Sequence, residues 1–347
     1  MQEAAVIGLD LAKQVFQAHG ADAEGTPLFS RKLRRAEVLR FFEKLPRCLV
    51  GMEACSGAHY WGRELTALGH DVRVIPPAYV APFVKRGKTD AGDAEAISEA
   101  VTRKTMRFVP IKTAEQQAAA MLLKTRSLLV RQRTQAINAL RRHLTELGII
   151  AGAGIAKVDS LIAIVRDESD SRLPAAARFS LTFIADQIEA LKEQSGQLED
   201  AIVREAKLDE EMRRLVTVPG IGAITAATIK ALVPDPGGFK SARHFAAWIG
   251  LTPKPRSSGG KERLGRISKM GNPDLRSLLV VGATSVLRYT EKNSKAMPWL
   301  TGIVARRPYK VAAVALANKM ARIVWAILTR GGVYHRPNSL AASTITA

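Results

Sequence analysis

Lys88-Thr89-Asp90-Ala91-Gly92-Asp93-Ala94 leads into Glu-Ala-Ile-Ser-Glu-Ala, and this run predicts a helix that opens at Asp90. Residues three apart on a helix share a face, so the Asp90 and Asp93 carboxylates project together. Like charges so placed require either full solvation or a cation between them. Taken alone, the pair is also what the positive end of a helix dipole favours. Two more acids, Asp10 and Glu53, change the balance, because each stands at the end of an apolar run that reads as a buried strand.

Outward from this helix, residues 1–110 read as one α/β domain. Strands over Ala4–Leu9, Val15–His19 and Leu28–Leu33 are separated by short turns, the clearest being Ala-Asp-Ala-Glu-Gly-Thr-Pro. A helix over Ala36–Leu45, a strand over Cys48–Met52, a helix over Ala58–Leu68 and a strand over Val72–Ile75, stopped by Pro76-Pro77, come before the Asp90 helix. That order resembles the ribonuclease H-like fold. The resemblance implies that Asp10, Glu53, Asp90 and Asp93 meet at one edge of a mixed sheet as a catalytic, metal-holding quartet. Four carboxylates in one place are severely unfavourable without hard cations, and an all-oxygen site suits Mg2+, or Mn2+ in its stead. Lys13, Lys85, Arg86 and Lys88 stand beside these acids in sequence, where an approaching phosphate backbone needs cations.

Charge identifies the class of partner. Among 347 residues, Lys and Arg number 52 against 32 acids, a net charge of +20 that makes a polyanion, and first of all nucleic acid, the expected ligand. The two cysteines, Cys48 and Cys55, have neither zinc-ligand spacing nor the number for a disulfide framework, which fits a reducing compartment. The start Met-Gln-Glu-Ala-Ala-Val-Ile-Gly-Leu-Asp lacks a basic leader with a long apolar segment. Apolar stretches at 275–287 and 311–328 are cut by Arg276 and by Lys319 and Arg322, so neither reads as a membrane span of ~20 residues. A cytoplasmic protein with no membrane partner is expected.

Residues 111–215 read as a helical linker with two long arms. In the first, Leu122, Leu129, Ile137, Leu140, Leu144 and Leu147 recur at heptad-compatible spacing, with Arg126 and Arg133 among the cations between them. In the second, Ile184, Ile188, Leu191, Leu198 and Ile202 follow steps of four and three, with Ser195 in the seam. A coiled coil is expected, within one chain or between chains, and the arginines of the acid-poor first arm read as a nucleic-acid-facing surface. Between the arms, residues 148–177 read as a connector with a weak helical patch at Val158–Val165.

The segment 216–335 reads as a mainly α domain, followed by a tail at 336–347. Val218-Pro219-Gly220-Ile221-Gly222 precedes an apolar helix over Ala223–Leu232 and offers free helix-start amides to an anion, by way of Gly220 and Gly222. This resembles a helix-hairpin-helix element, although a plain interhelical turn has the same residues. Lys254 to Pro273 reads as a long loop rich in glycine and cations, Arg256, Lys261, Arg263, Arg266 and Lys269 among them. Asn272 caps the helix that follows, with Pro273 at its first position. Within the loop Ser258 precedes two glycines, so its hydroxyl can be presented without crowding.

Gly8-Leu-Asp-Leu-Ala-Lys13, Gly51-Met-Glu-Ala-Cys-Ser-Gly57, the 88–94 heptapeptide, the 218–222 turn and Gly250-Leu-Thr-Pro253 with Ser257-Ser258-Gly259 occur in that order. Together they resemble the insertion-sequence transposases that join a RuvC-like domain bearing Asp, Glu, Asp, Asp to a C-terminal domain bearing a nucleophilic serine; the Piv-type DNA invertases are similar. The resemblance implies that Asp10, Glu53, Asp90, Asp93 and Ser258 are catalytic, with Ser257 as the fallback nucleophile. It also implies a covalent phosphoserine link to DNA, a structured guide RNA that chooses double-stranded donor and target, and a homo-oligomer, dimer or tetramer, in which one subunit's quartet meets another's serine. Two other readings stand beside it. One is a metal-dependent nuclease of the Holliday-junction resolvase kind, which needs the acids but not Ser258; the other is a catalytically silent nucleic-acid-binding protein.

Overall fold

The computed structural model describes residues 4–335 except 86, 88, 153, 234, 258, 262 and 293–296. Lys88, Ser258 and the 336–347 tail therefore lie outside the described residues. The chain divides into two compact units, Met1–Ala118 and Ala119–Ala347.

In the first unit β1 (Val6–Asp10), β2 (Val15–Ala21) and β3 (Pro27–Arg34) form an antiparallel meander. A single 3-10 turn at Arg35–Glu37 and the short α1 (Val38–Phe42) replace the longer helix expected from Ala36 to Leu45. Then come β4 (Leu49–Glu53), α2 (Ala58–Ala67), β5 (Asp71–Ile75), α3 (Pro77–Val80) and α4 (Asp90–Val101). The sheet order is β3-β2-β1-β4-β5, with β4 parallel to both β1 and β5, consistent with a ribonuclease H-like sheet. The Pro76-Pro77 pair ends β5 as expected but also starts α3, since proline at the first helical position forfeits no hydrogen bond.

One face of this sheet packs Ile7, Leu9, Val50 and Met52 with Phe16, Trp61 and Leu65. The other carries α4, whose Ile97 and Val101 are fully buried and contribute about 1.5–3 kcal/mol each. Buried His70 pins the sheet's far end. Its Nδ1 accepts from the Cys48 amide at 3.3 Å, so Nε2 carries the proton that is donated to the Phe42 carbonyl at 3.2 Å.

The second unit begins within α5 (Ala114–Glu146) and continues through α6 (Val158–Arg166) and α7 (Ala175–Leu208). Only the C-terminal half of α5 has the deep seam expected of it: Ile137, Leu140 and Leu144 are buried, while Leu122 and Leu129 are half-buried. The weak helical patch proves to be a full structural member, because Val158, Leu161, Ile162 and Val165 of α6 close a core with α5 and α7. Arg126 and Arg133, expected to face nucleic acid, each have a partner on α7. Arg126 pairs with Glu199 of α7, and Arg133 donates to Ser195 Oγ at 3.4 Å, so both fasten α5 to α7 within one chain.

The largest core joins the end of α7 to α8 (Glu210–Val216), α9 (Ala223–Leu232), α10 (Ala242–Trp248), α11 (Pro273–Lys292), α12 (Pro298–Val304) and α13 (Tyr309–Arg330). At the turn between α8 and α9, Gly220 has φ of +87° and lies against α11. A Cβ on Gly282 would stand 1.9 Å from the Gly220 carbonyl oxygen, so two backbones touch where side chains would prevent it. Gly220 thus serves packing; Gly222, the N-cap of α9, faces open space. Residues 254–273 are not a plain loop: β6 (Pro253–Pro255) and β7 (Leu264–Ile267) pair as a ribbon, closed further by Arg256 N–H donating to the Arg263 carbonyl at 2.7 Å. Asn272 caps α11 as expected, its Oδ1 accepting from the Leu275 amide at 2.9 Å. By length and composition α13 is apolar enough to cross a membrane, yet its Ala313, Ala317, Met320 and Val324 lie inside this core.

Candidate active site

Strand register builds the site. Gly8 lies directly opposite Gly51 and Leu9 opposite Met52 across the parallel β1–β4 pair. Side chains alternate between faces, so if Leu9 and Met52 fill the core, Gly8, Asp10, Gly51 and Glu53 belong to the α4 face. Asp10 and Glu53 are the final residues of neighbouring strands and sit side by side at one edge.

The glycines decide how near α4 can come. A Cβ on Gly8 would stand 2.0 Å from the Ala94 carbonyl oxygen and 2.5 Å from the Ser98 nitrogen. One on Gly51 would meet Val101 Cβ at 2.8 Å and Ile97 Cγ2 at 3.1 Å. Stepping back four residues along α4 leads from Ser98 through Ala94 to Asp90, and from Val101 through Ile97 to Asp93. Both aspartates therefore open the helix over the edge where Asp10 and Glu53 end. Thr89 fixes that opening, its Oγ1 accepting from the Gly92 amide at 3.1 Å. Gly8 and Gly51 head two of the quoted motifs, but their packing role was not read from the sequence, although a signal was present: each precedes its acid by two residues, as Gly8-Leu9-Asp10 and Gly51-Met52-Glu53.

The charges of the other three acids reach Asp10. The Asp10 carboxyl is pushed up from 3.8 to about 6, first by burial and then by the charges of Asp93, Asp90 and Glu53. Partial enclosure, with Glu53 and Asp10 nearby, also raises the Cys55 thiol. Lys85 is bound to Glu95 on α4 at 2.6 Å. Among the described residues no three His, Cys, Asp or Glu side chains stand close enough to hold an ion as placed. The donor set nevertheless fits one: all four groups are carboxylates, and burial together with the charges of Asp93, Asp90 and Glu53 raises the Asp10 pKa.

A pH dependence follows. In chelator, native Asp10 binds its proton more tightly than the unfolded chain does, so its contribution to stability is greatest below about pH 4 and is lost as pH rises through about 6. Thermal melts of the chelated protein should show this decline, and Asp10→Asn should flatten it; a wild-type profile already flat from pH 4 to 7 would contradict the assignment.

On the other unit, Arg256, Ser257, Gly259, Gly260, Lys261 and Arg263 are exposed around the end of the β6–β7 ribbon. Ser257 Oγ accepts from the Arg263 amide at 3.3 Å, which ties the fallback hydroxyl to the ribbon. Arg266 and Lys269 are exposed as well.

Comparison with known proteins agrees with this arrangement. A DEDD-type transposase domain of the IS110 group matches residues 7–149, and the domain described as "Transposase IS116/IS110/IS902 family" matches residues 212–297. A DEDD domain implies dependence on a divalent metal. The chain is 48% identical over 330 residues to a "Probable family 20 transposase" of Pseudomonas aeruginosa, covering 94% of this chain and 98% of that one. It is 39% identical to the "Transposase for insertion sequence element IS1111A" of Coxiella burnetii, over 96% of this chain and 92% of the relative. The "Transposase for insertion sequence element IS1328" of Yersinia enterocolitica is likewise 39% identical, over 97% and 100%. Two matched domains that span both units, and full-length relatives at this level of identity, lead to one conclusion: the chain belongs to the IS116/IS110/IS902 family of insertion-sequence transposases.

Proposed function

We propose that this transposase is a serine recombinase of double-stranded DNA, directed to its sites by a structured RNA. Asp10, Glu53, Asp90 and Asp93 hold Mg2+, or Mn2+ in its place, and Ser258 is the nucleophile. The observation that carries the reading is the strand register that sets Asp10 beside Glu53 beneath the start of α4. When bound, the metal supplies Lewis-acid stabilisation of the phosphoryl and leaving oxygens. Ser258 Oγ attacks phosphorus and gives up its proton to a nearby base. The phosphorus–oxygen bond to one deoxyribose breaks, and the leaving oxygen takes up a proton. Bond energy is kept in the phosphoserine link, so rejoining to a new strand needs no external energy source. In a dimer or tetramer the quartet of one copy works with Ser258 of another. Exposed Arg256, Lys261, Arg263, Arg266 and Lys269, with Gly222 at the start of α9 and Lys88, two residues before Asp90 in sequence, hold the phosphate backbone.

The test is an adduct assay with element-end DNA, guide RNA and magnesium. A protein–DNA adduct that survives denaturation, is made by wild type and is lost in Ser258→Ala supports the proposal. Metal-dependent nicking that persists in Ser258→Ala indicates a resolvase-like nuclease instead, and no strand chemistry at all indicates a binding protein.

A further inference from the structure

A groove of about 1840 Å³ runs between the β6–β7 ribbon and one face of α13. Its ribbon bank carries Lys254, Arg256, Arg266 and Lys269. Its helix bank carries Lys310, Lys319, Arg322 and Arg330, and no Asp or Glu lines it among the described residues. Between the banks the surface is apolar and open: Leu264 is 75% exposed, Val311 50% and the Trp299 indole 44%. Lys319 Nζ lies 4.1 Å above the Trp299 ring centroid, a cation over the face of an indole.

Folding explains only part of this face. Val314, Ile323 and Trp325 line the groove and also pack against the core, whereas Trp299, Lys310, Val311, Arg322 and Arg330 stand exposed. There, cations and large apolar groups lie together in water, a combination that calls for an occupant both anionic and rich in flat apolar surface. A duplex offers phosphates but hides its base faces, which would leave the floor of the groove wet. An acidic peptide offers charge without flat rings. A single strand offers both, with phosphates for the two banks and unstacked bases for Trp299 and the apolar floor.

We infer that the groove between the β6–β7 ribbon and α13 binds an unpaired nucleic-acid strand, with Arg322 and Arg330 on its phosphates and Trp299 against a base. The inference deepens the proposed function by naming a strand-binding surface, yet it concerns binding alone. It can fail while the serine chemistry holds, and the reverse.

Fluorescence anisotropy with the full chain tests it, using labelled unstructured DNA and RNA strands of about 15 nucleotides and a duplex of the same length, over a salt series. Arg322→Gln with Arg330→Gln should weaken single-strand binding at least tenfold and lower the salt slope by about 1.4, at roughly 0.7 per phosphate contact. Trp299→Ala should weaken it about fivefold or more, and Trp299→Phe should restore most of the loss. Duplex affinity should change less than twofold, and thermal midpoints should stay at the wild-type value, because all three side chains are exposed. Tighter binding of RNA than DNA would assign the groove to RNA, and the converse to a displaced DNA strand; either supports the inference. Equal losses for duplex and single strand, no loss at all, or displacement of the strand by polyglutamate as readily as by unlabelled strand would overturn it. Should the double variant melt early, exposed Lys310→Gln at the same groove serves in its place, with a drop in salt slope of about 0.7.

Discussion

Asp10→Asn is expected to abolish strand chemistry while making the chelated protein harder to melt. The two effects have one cause. Asp10 is half-buried, ends β1 and feels Asp93, Asp90 and Glu53, so its ionised form is disfavoured in the folded chain. Asparagine keeps the shape and removes the charge, which relieves both the burial and the repulsion. It also removes one carboxylate from the quartet proposed to hold the metal, and the loss of a preorganised charge at a reacting phosphate costs on the order of 10²- to 10³-fold in rate. Melting in chelator at about pH 7 should therefore move upward while turnover with element DNA falls at least 100-fold. A variant that is less stable in chelator, or that keeps a tenth of wild-type turnover, would sink the assignment of Asp10.

Gly8→Ala is the second large effect, and it acts without touching any carboxylate. The added methyl would stand 2.0 Å from the Ala94 carbonyl oxygen and 2.5 Å from the Ser98 nitrogen. Both are backbone atoms of α4, so no side chain can swing aside and the helix itself must rise. Overpacking of this kind costs about 1–3 kcal/mol. Asp90 and Asp93 travel with the helix, and a displacement of about 1 Å at a reacting centre can cost on the order of 100-fold in rate. Gly152→Ala is the control, since a Cβ there meets nothing within 4 Å. Should Gly8→Ala melt and turn over like Gly152→Ala, the close seat of α4 does not matter to the acids.

The first unit was legible because each strand is a short apolar run between turn residues, and each acid marks a strand end or a helix start. What stayed hidden needed a partner. The importance of Gly8 and Gly51 depends on register, which shows that they face each other and lie beneath α4. Arg126 read as part of a nucleic-acid-facing surface because Glu199, its partner in the fold, is 73 residues away. Pro253, Pro255 and the neighbouring glycines disguised a two-stranded ribbon as a loop. In α13 the run of apolar residues was plain, but one helix face belongs to a core and the other to a groove, a division that only tertiary packing draws. Among the proposed site residues, the acids were readable from spacing and resemblance; Ser258 was singled out only through resemblance, since a serine before glycines is common in loops.

The contact between Gly220 and Gly282 has a mechanical consequence. Side chains that touch can yield by rotating, whereas two peptide backbones in direct contact have no such slack. Any tilt of α11, the helix that follows the ribbon, therefore bears directly on the turn that launches α9.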